Sequence, residues 1–395
     1  MCTPYGRDVA AGVRTIEQAE AALRALPGGA RVLDAVAATP GAWVVGGAVR
    51  DALLGRTPAE LDVVVEGDAT AFAAALGAAP TQAHERFGTA TLRLPEGLRV
   101  DLARARSERY AHPGALPDVE PADLRTDLGR RDVTINALAL RPGEPVVAVP
   151  GALDDLAAGV LRVLHARSFS DDATRLWRVG RYGARLSFTA DAWTAALAAA
   201  ADPATVAGPR HGNELRRTLA ESDPVTALGA TQALAGSLFP PGFTPRSADA
   251  ALALLPAGEG RPELVVLARA CEGVDAATLL GWLDALGVTA AEREVVAAGS
   301  RAVTLHPLRT ASGAAAIARA ARGAPLEVVA LAGGPAARRW IDELRHVRLQ
   351  IDGSDLLDAG VPAGPELGAR LQRALDAKLN GDAPSRAQQL RVALS

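Results

Sequence analysis

The sequence predicts an α+β chain: a head in which strands and helices alternate, then a body that is almost wholly helical. Three observations lead there. Residues 43–66 run from a short apolar segment (Trp43-Val44-Val45) through Gly46-Gly47 into good helix formers, then into a second apolar run with acids at its start. That order reads as strand, glycine turn, helix, strand. Alternating stretches at 84–94 and 98–104 add further strands, and beyond about residue 165 only helical periods remain.

In chain order, residues 8–26 have helical spacing (Val13, Ile16, Ala19, Ala22, Leu23) and stop at Pro27-Gly28-Gly29; a second helix, about 30–38, stops at Pro40-Gly41. At Gly46-Gly47 the absence of Cβ atoms lets the backbone approach a phosphate, and the next helix offers free N–H groups and its positive end. Arg50 lies within that helix and has fork-shaped donors for a triphosphate. Glu60 and Asp62 are two apart on the next strand, so their side chains share a face. Two such carboxylates repel, and one would ordinarily take up a proton. A pair of Mg²⁺ ions about 3.5–4 Å apart removes the conflict and gives the acids a use in phosphoryl transfer. The same pair would also suit a half-exposed strand end with ordinary surface acids.

An Ala-rich helix (69–77) follows. Val100-Asp101-Leu102 sets another carboxylate on a strand of the head, either as a third acid of the metal site or as the partner of Arg99, Arg104 or Arg106. Residues 105–129, with Pro113, Pro117 and Pro121 and mixed charges, read as a long mobile loop. Then Arg130-Arg131-Asp132-Val133-Thr134-Ile135-Asn136-Ala137-Leu138-Ala139 carries a doubled arginine into an apolar segment.

The body reads as helices at 171–187, 191–200, 210–220, 223–235, 246–255, 262–271, 275–286, 290–300, 311–321, 325–332, 335–346 and 366–379. In the first of these, Asp171 and Asp172 sit at the positive end. Asp172, Arg175, Arg178 and Arg181 follow at i+3 steps as one slowly turning stripe. An Asp acceptor beside an Arg donor matches the edge of cytosine, and also adenine's amino group and N1. Uracil and guanine would leave buried groups unpaired. The plain alternative is a solvated stripe with one ion pair. Near the end, Ile351-Asp352-Gly353 through Gly368 reads as a Gly/Pro-punctuated loop before a helix that Pro365 opens, serving as a rigid elbow or a contact for RNA phosphates. Arg338, Arg339, Arg345 and Arg348 form either a basic patch or scattered surface charge.

Composition sets limits. The 395 residues are too many for one core and suit two to four domains. Apolar residues make up 49% and the net charge is −3, so a nucleic-acid partner must meet a segregated basic face. Lys378 is the one lysine among 42 basic residues. Two cysteines, Cys2 and Cys271, build neither a disulfide framework nor a cysteine zinc site, which fits a reducing cytosol. The N-terminal stretch lacks an apolar h-region and no run suffices for a membrane helix, so neither a signal peptide nor a span is expected. The six histidines lack metal-ligand spacing, and no His-Asp dipeptide points to an appended phosphohydrolase.

Taken together, the ordered set Gly46-Gly47-Ala48-Val49-Arg50-Asp51, Glu60 and Asp62, Arg130-Arg131-Asp132 with Thr134-Ile135-Asn136-Ala137, and Asp171-Asp172-Ala173-Thr174-Arg175 resembles the class II tRNA nucleotidyltransferases and bacterial poly(A) polymerases. Leu156 through Arg162 and Gly353 through Gly368 look similar too. The resemblance is close over about 40–240 and from 345 on; over 240–340 it is helical character alone. It implies a nucleotidyltransferase head on a mixed five-stranded sheet, then an all-α neck, body and tail. The corresponding boundaries are an N-terminal helical extension at 1–29, head at 30–165, neck at 166–240, body at 241–335 and tail at 336–395. Glu60 and Asp62 would hold Mg²⁺, with Asp101 beside them. Gly46, Gly47 and Arg50 would meet the triphosphate, and Arg130, Arg131 and Asp132 would grip ribose and phosphates with Asn136 in support. Asp172 and Arg175 would read the base, and Arg178 and Arg181 would face the phosphates. The implied activity is addition of C and A from CTP and ATP to the 3′ end of tRNA in the cytoplasm, without a template. Poly(A) synthesis, partial CC or A addition, and RNA binding by a decayed enzyme are the rivals. Glu60 stands where the family usually has Asp, and its extra methylene would move the carboxylate by more than an ångström, a misplacement that can cost about 10²-fold. A dinucleotide-binding turn would need a third glycine.

Overall fold

The computed structural model of the chain describes residues 3–4, 13–67, 69–77, 80–84 and 89–395. It divides into two compact units, Met1–Leu238 and Phe239–Ser395. The expected N-terminal helix is present as α1 (Ile16–Arg24), begun by a Thr15/Gln18 capping box; residues 8–12 of the expectation lie outside the described residues. A second helix, α2 (Gly29–Ala38), follows.

The strand–turn–helix–strand unit forms as read. Ala42–Val45 is β2, Gly47–Leu53 is α3 and Glu60–Val65 is β3. Gly46 ends β2 at φ +71°, a conformation that favours glycine, and its N–H donates to the Leu138 carbonyl at 2.9 Å. After α4 (Ala69–Leu76) come β4 (Pro80–His84), β5 (Thr89–Arg93) and β6 (Arg99–Arg104). With β1 (Thr3–Pro4), β9 (Leu138–Leu140) and β10 (Val147–Ala148) they make one mixed sheet, ordered β1-β10-β9-β2-β3-β6-β5-β4. Within this sheet only β3 and β6 pair in parallel among the described residues. Five strands of four to six residues carry the sheet as expected, and the short β9, β10 and β1 extend one edge to eight among the described residues. Val44, Leu61, Val63, Leu138 and Leu140 are buried in the sheet; Val32, Leu33, Val49 and Leu53 are buried on α2 and α3.

Residues 105–129 are not a long loop. Arg106–Arg109 (β7) and Asp118–Pro121 (β8) form a hairpin, and Leu124–Gly129 is a helix, α5, capped by Asp123. The two strands pair through an antiparallel backbone ladder, Arg106 opposite Pro121 and Arg109 opposite Asp118, and Glu108 meets Arg106 (3.1 Å) on its own strand and Arg130 (2.7 Å) after α5. After α6 (Ala152–Ala158), the expected helix 171–187 is two helices: α7 (Ser168–Asp171) and α8 (Arg175–Leu186). Then come α9 (Ala192–Ala199), α10 (Gly208–Leu219) and α11 (Pro224–Leu234).

Two contacts seat α8. On one side Gly180 lies against α11, where a Cβ would stand 2.5 Å from the Thr231 Cα. On the other, Asp132 reaches α8 from the head: Tyr182 Oη donates to Oδ2 at 3.0 Å and Arg178 Nη2 approaches it at 2.7 Å. Oδ1 accepts from the Val133 N–H (2.9 Å) and Asn136 Nδ2 (3.1 Å). Burial acts to raise the Asp132 pKa, but Arg178, Asn136 and Arg175 together hold it well below the ordinary value.

The second unit is helical throughout its described elements, from Asp249–Leu252 to Arg386–Leu394. Helices at Ala302–Thr310, Gly353–Asp358 and Arg386–Leu394 add to those expected, the second inside the stretch read as a loop. Phe239 and Phe243 stack with ring centroids 4.5 Å apart, and Cys271 is buried. The expected basic patch is partly neutralised, since Arg345 pairs with Glu259 at 2.7 Å and Arg339 with Glu343 at 3.5 Å. Among the described residues no helix is long and apolar enough to cross a membrane.

Gly180→Ala is expected to cost about 1–3 kcal/mol by overpacking. Gly229→Ala, on α11 with nothing within 4 Å of the added methyl, should instead gain about 0.5–1 kcal/mol. Urea midpoints at constant slope test both. Because the folded pKa of Asp132 is depressed, its contribution is fully present above about pH 4 and is lost as pH falls further. Asp132→Asn should therefore lie about 2–3 kcal/mol below the parent at pH 7, with a gap that stays constant down to about pH 5 and narrows below pH 4. A gap that widened in acid would contradict this assignment.

Candidate active site

Parallel pairing of β3 with β6 sets Glu60 opposite Arg99 and Asp62 opposite Asp101. Since alternate side chains share a face, three carboxylates converge, with Glu60, Asp62 and Asp101 offering oxygens that all lie within 4.8 Å of one another. Burial pushes the Asp62 pKa up, to about 6; Glu60 and Asp101 add to the rise and Arg131 opposes it. Arg99 bridges the cluster, at 3.1 Å from Glu60 and 2.7 Å from Asp101, and Thr91 Oγ1 donates to Asp101 at 2.7 Å. Both readings of Asp101 thus hold: it stands in the acidic cluster and it pairs with Arg99. The longer Glu60 side chain also reaches the cluster. Three hard oxygen donors with one unusually basic member fit a divalent cation.

The cluster lines a cavity of about 730 Å³. Gly46 and Gly47 line it too, and the missing Cβ of Gly46 leaves room for Arg131, whose Nη1 would stand 2.8 Å from that atom. Around the wall the arginines are held by acids. Arg130 is bound by Asp127 (2.6 Å) and Glu108 (2.7 Å), and Arg131 by Asp127 (3.0 Å). Burial would raise the Asp127 pKa, yet Arg131 and Arg130 bring it below the ordinary value. Arg50 is buried between Asp51 (2.8 Å) and Asn136 (2.6 Å). Nε of Arg131 remains buried without a partner among the described residues.

Asp172 and Arg175 line the same cavity as the acids. Asp172 lies between α7 and α8 in extended backbone rather than on a helix. Its Oδ1 accepts from the Thr174 N–H (3.0 Å) and hydroxyl (2.6 Å) and pairs with Arg210 (3.0 Å). Arg175 Nη2 donates to the Arg130 carbonyl at 2.8 Å, while its Nη1 is buried without a partner among the described residues. Arg178 lines the cavity; Arg181 does not, being bound by Glu214 (2.7 Å) and Glu221 (3.2 Å). The reason is geometric: at about 100° per residue, two i+3 steps carry Arg181 some 120° away from Arg175. The face that meets the cavity is Arg175, Arg178, Tyr182 and Arg185, a spacing in the sequence that could have revealed Tyr182 and Arg185. Thr91, Arg106, Glu108 and Tyr110 also line it without a sequence signal. Asp132 lines it with both oxygens committed to protein donors.

Comparison with known proteins follows the same geometry. Residues 42–162 match the family described as the Poly A polymerase head domain. The chain is 33% identical over 393 residues to an A-adding tRNA nucleotidyltransferase of Geobacter sulfurreducens, covering 89% of this chain and 44% of that protein. It is 44% identical over 210 residues to a CC-adding tRNA nucleotidyltransferase of Deinococcus radiodurans, covering 50% of this chain and 55% of that protein. The chain thus spans about half the length of these relatives. A solved CCA-adding enzyme in an apo form is similar throughout, with 30% identity, a TM-score of 0.74, and 89% of this chain and 91% of that one covered. Fold, motif order and these matches agree, and the chain belongs to the family of class II tRNA nucleotidyltransferases and bacterial poly(A) polymerases.

Proposed function

We propose that this chain is a Mg²⁺-dependent cytoplasmic enzyme that adds C and A from CTP and ATP to the 3′ end of tRNA, releasing pyrophosphate and using no nucleic-acid template. One observation carries the reading: a single cavity is lined by both the Glu60–Asp62–Asp101 cluster and the Asp172/Arg175 pair. The tRNA nucleotidyltransferases to which the chain is similar support the choice of RNA and of these nucleotides.

Glu60 and Asp62 would hold the Mg²⁺, with Asp101 beside them. Bound there, it would supply activation of a hydroxyl and neutralisation of phosphate charge. Gly47 leaves the backbone open to the triphosphate, and Arg131, which fills the space beside Gly46, would face its charge. Asp172 accepts from the exocyclic amino group of cytosine or adenine and Arg175 donates to the neighbouring ring nitrogen; uracil and guanine present the reverse pattern. Arg130, Arg50, Asn136 and Asp132 fix the walls. The RNA 3′ hydroxyl, aligned by these contacts, attacks the α-phosphate in line.

Purified chain incubated with tRNA transcripts ending before the CCA, with CTP and ATP separately and together, should add a short defined end and stop. A long run of A would replace the tRNA reading with poly(A) synthesis, and extension by C alone or A alone with a partial enzyme. Asp62→Asn should lower kcat on the order of 10²–10³-fold while tRNA binding survives. If the parent bound tRNA but incorporated nothing with Mg²⁺, a decayed RNA-binding homologue would be the better description. Glu60→Asp should slow incorporation about 10-fold or more rather than speed it, because the longer side chain already reaches the cluster; faster turnover would show that Glu60 is a defect.

A further inference from the structure

A carboxylate on a linker between two helices has no helix to fix its rotation, so its hydrogen bonds must do so. At Asp172 the backbone is extended (φ −148°, ψ 97°). Three donors converge on Oδ1, namely the N–H and hydroxyl of Thr174 and the guanidinium of Arg210 at 3.0 Å, and Oδ2 has no partner among the described residues. Arg210 sits on α10 and uses its other nitrogen as well, Nη1 donating to the Gly114 carbonyl at 3.0 Å. Gly114 lies in the turn between β7 and β8, and its N–H donates to the Ser170 carbonyl at 3.0 Å. At φ +72° it is packed so closely that a Cβ would stand 1.9 Å from the Thr205 carbonyl oxygen. That turn reaches the cavity wall through Tyr110 and Pro117.

We propose that Arg210 is a positioning residue for base selection. By completing the set of donors on Oδ1 it presents Oδ2 of Asp172 to the cavity as the free acceptor, and by holding Gly114 it ties one wall of the cavity to that orientation. The fork is needed because one guanidinium serves two acceptors on separate elements, which a lysine ammonium does without fixed geometry. The proposal rests on the base-reading role of Asp172 and deepens it.

The test compares incorporation of all four nucleotides by the parent, Arg210→Gln, Arg210→Lys and Asp172→Ala, with thermal melting and equilibrium dialysis of labelled CTP alongside. Arg210→Gln should lower kcat/KM for CTP and ATP about 10–100-fold, mainly through KM. The preference over UTP and GTP should narrow correspondingly, with Arg210→Lys in between and CTP binding weakened. If Asp172→Ala narrows the preference but neither Arg210 variant does, the proposal is overturned while base reading stands. A lower melting temperature with unchanged preferences would give Arg210 a merely structural role and overturn it as well. If Asp172→Ala leaves the preferences intact, base reading fails and this proposal falls with it. Should Arg210→Gln not fold, the lysine variant decides, since unchanged discrimination in it contradicts the proposal.

Discussion

The charge on Asp132 is the constraint on which the catalytic unit depends. It is buried, and a buried carboxylate is tolerated only when its lone pairs are met. The donors that meet it come from two places. Val133 and Asn136 belong to the segment that runs into the sheet, and Arg178 and Tyr182 to α8. The carboxylate thereby fixes the distance between the strands that carry the acidic cluster and the helix that carries Arg175. Gly180 against Thr231 supplies the opposite wall of the seat.

A chain with net charge −3 gathers most of its cavity arginines by giving them acids, Arg175 being held by a backbone carbonyl instead. Asp127 takes Arg130 and Arg131, Asp132 takes Arg178, and Asp51 takes Arg50. The guanidinium groups are held in place in advance, with little side-chain freedom left to lose when an anion arrives. Among the described residues, unused donors remain at Arg131 Nε and Arg175 Nη1.

What the sequence revealed and what it hid have the same origin in local patterning. Gly46-Gly47 between apolar runs was legible because period and turn chemistry are both local, and so was the sharing of a face by Glu60 and Asp62. That Asp62 lies opposite Asp101 depends on a parallel register between β3 and β6, which no nearby residue encodes. Repeated i+3 spacing led to Arg181, whereas the 3.6-residue period picks out Tyr182. The β7–β8 hairpin left no periodic signal because Arg106-Ser107-Glu108-Arg109 has no apolar face and pairs through its backbone. The helix Ala302–Thr310 was hidden by its internal Pro307, and Arg386–Leu394 was not expected either, although the capping box of Ser385 and Gln388 is a local signal for it.

Arg99 has a consequence for the order of events in biosynthesis. Like charges set directly opposite each other oppose strand pairing, and Asp62 and Asp101 are so placed. Arg99, covalently part of β6, brings a compensating charge to that register at the moment the strands meet. The pairing of β3 with β6 thus carries its own counter-charge, without a cation between the two carboxylates. A cation that enters the cluster meets a register the polypeptide has already set, and has to displace an arginine rather than bring two strands together.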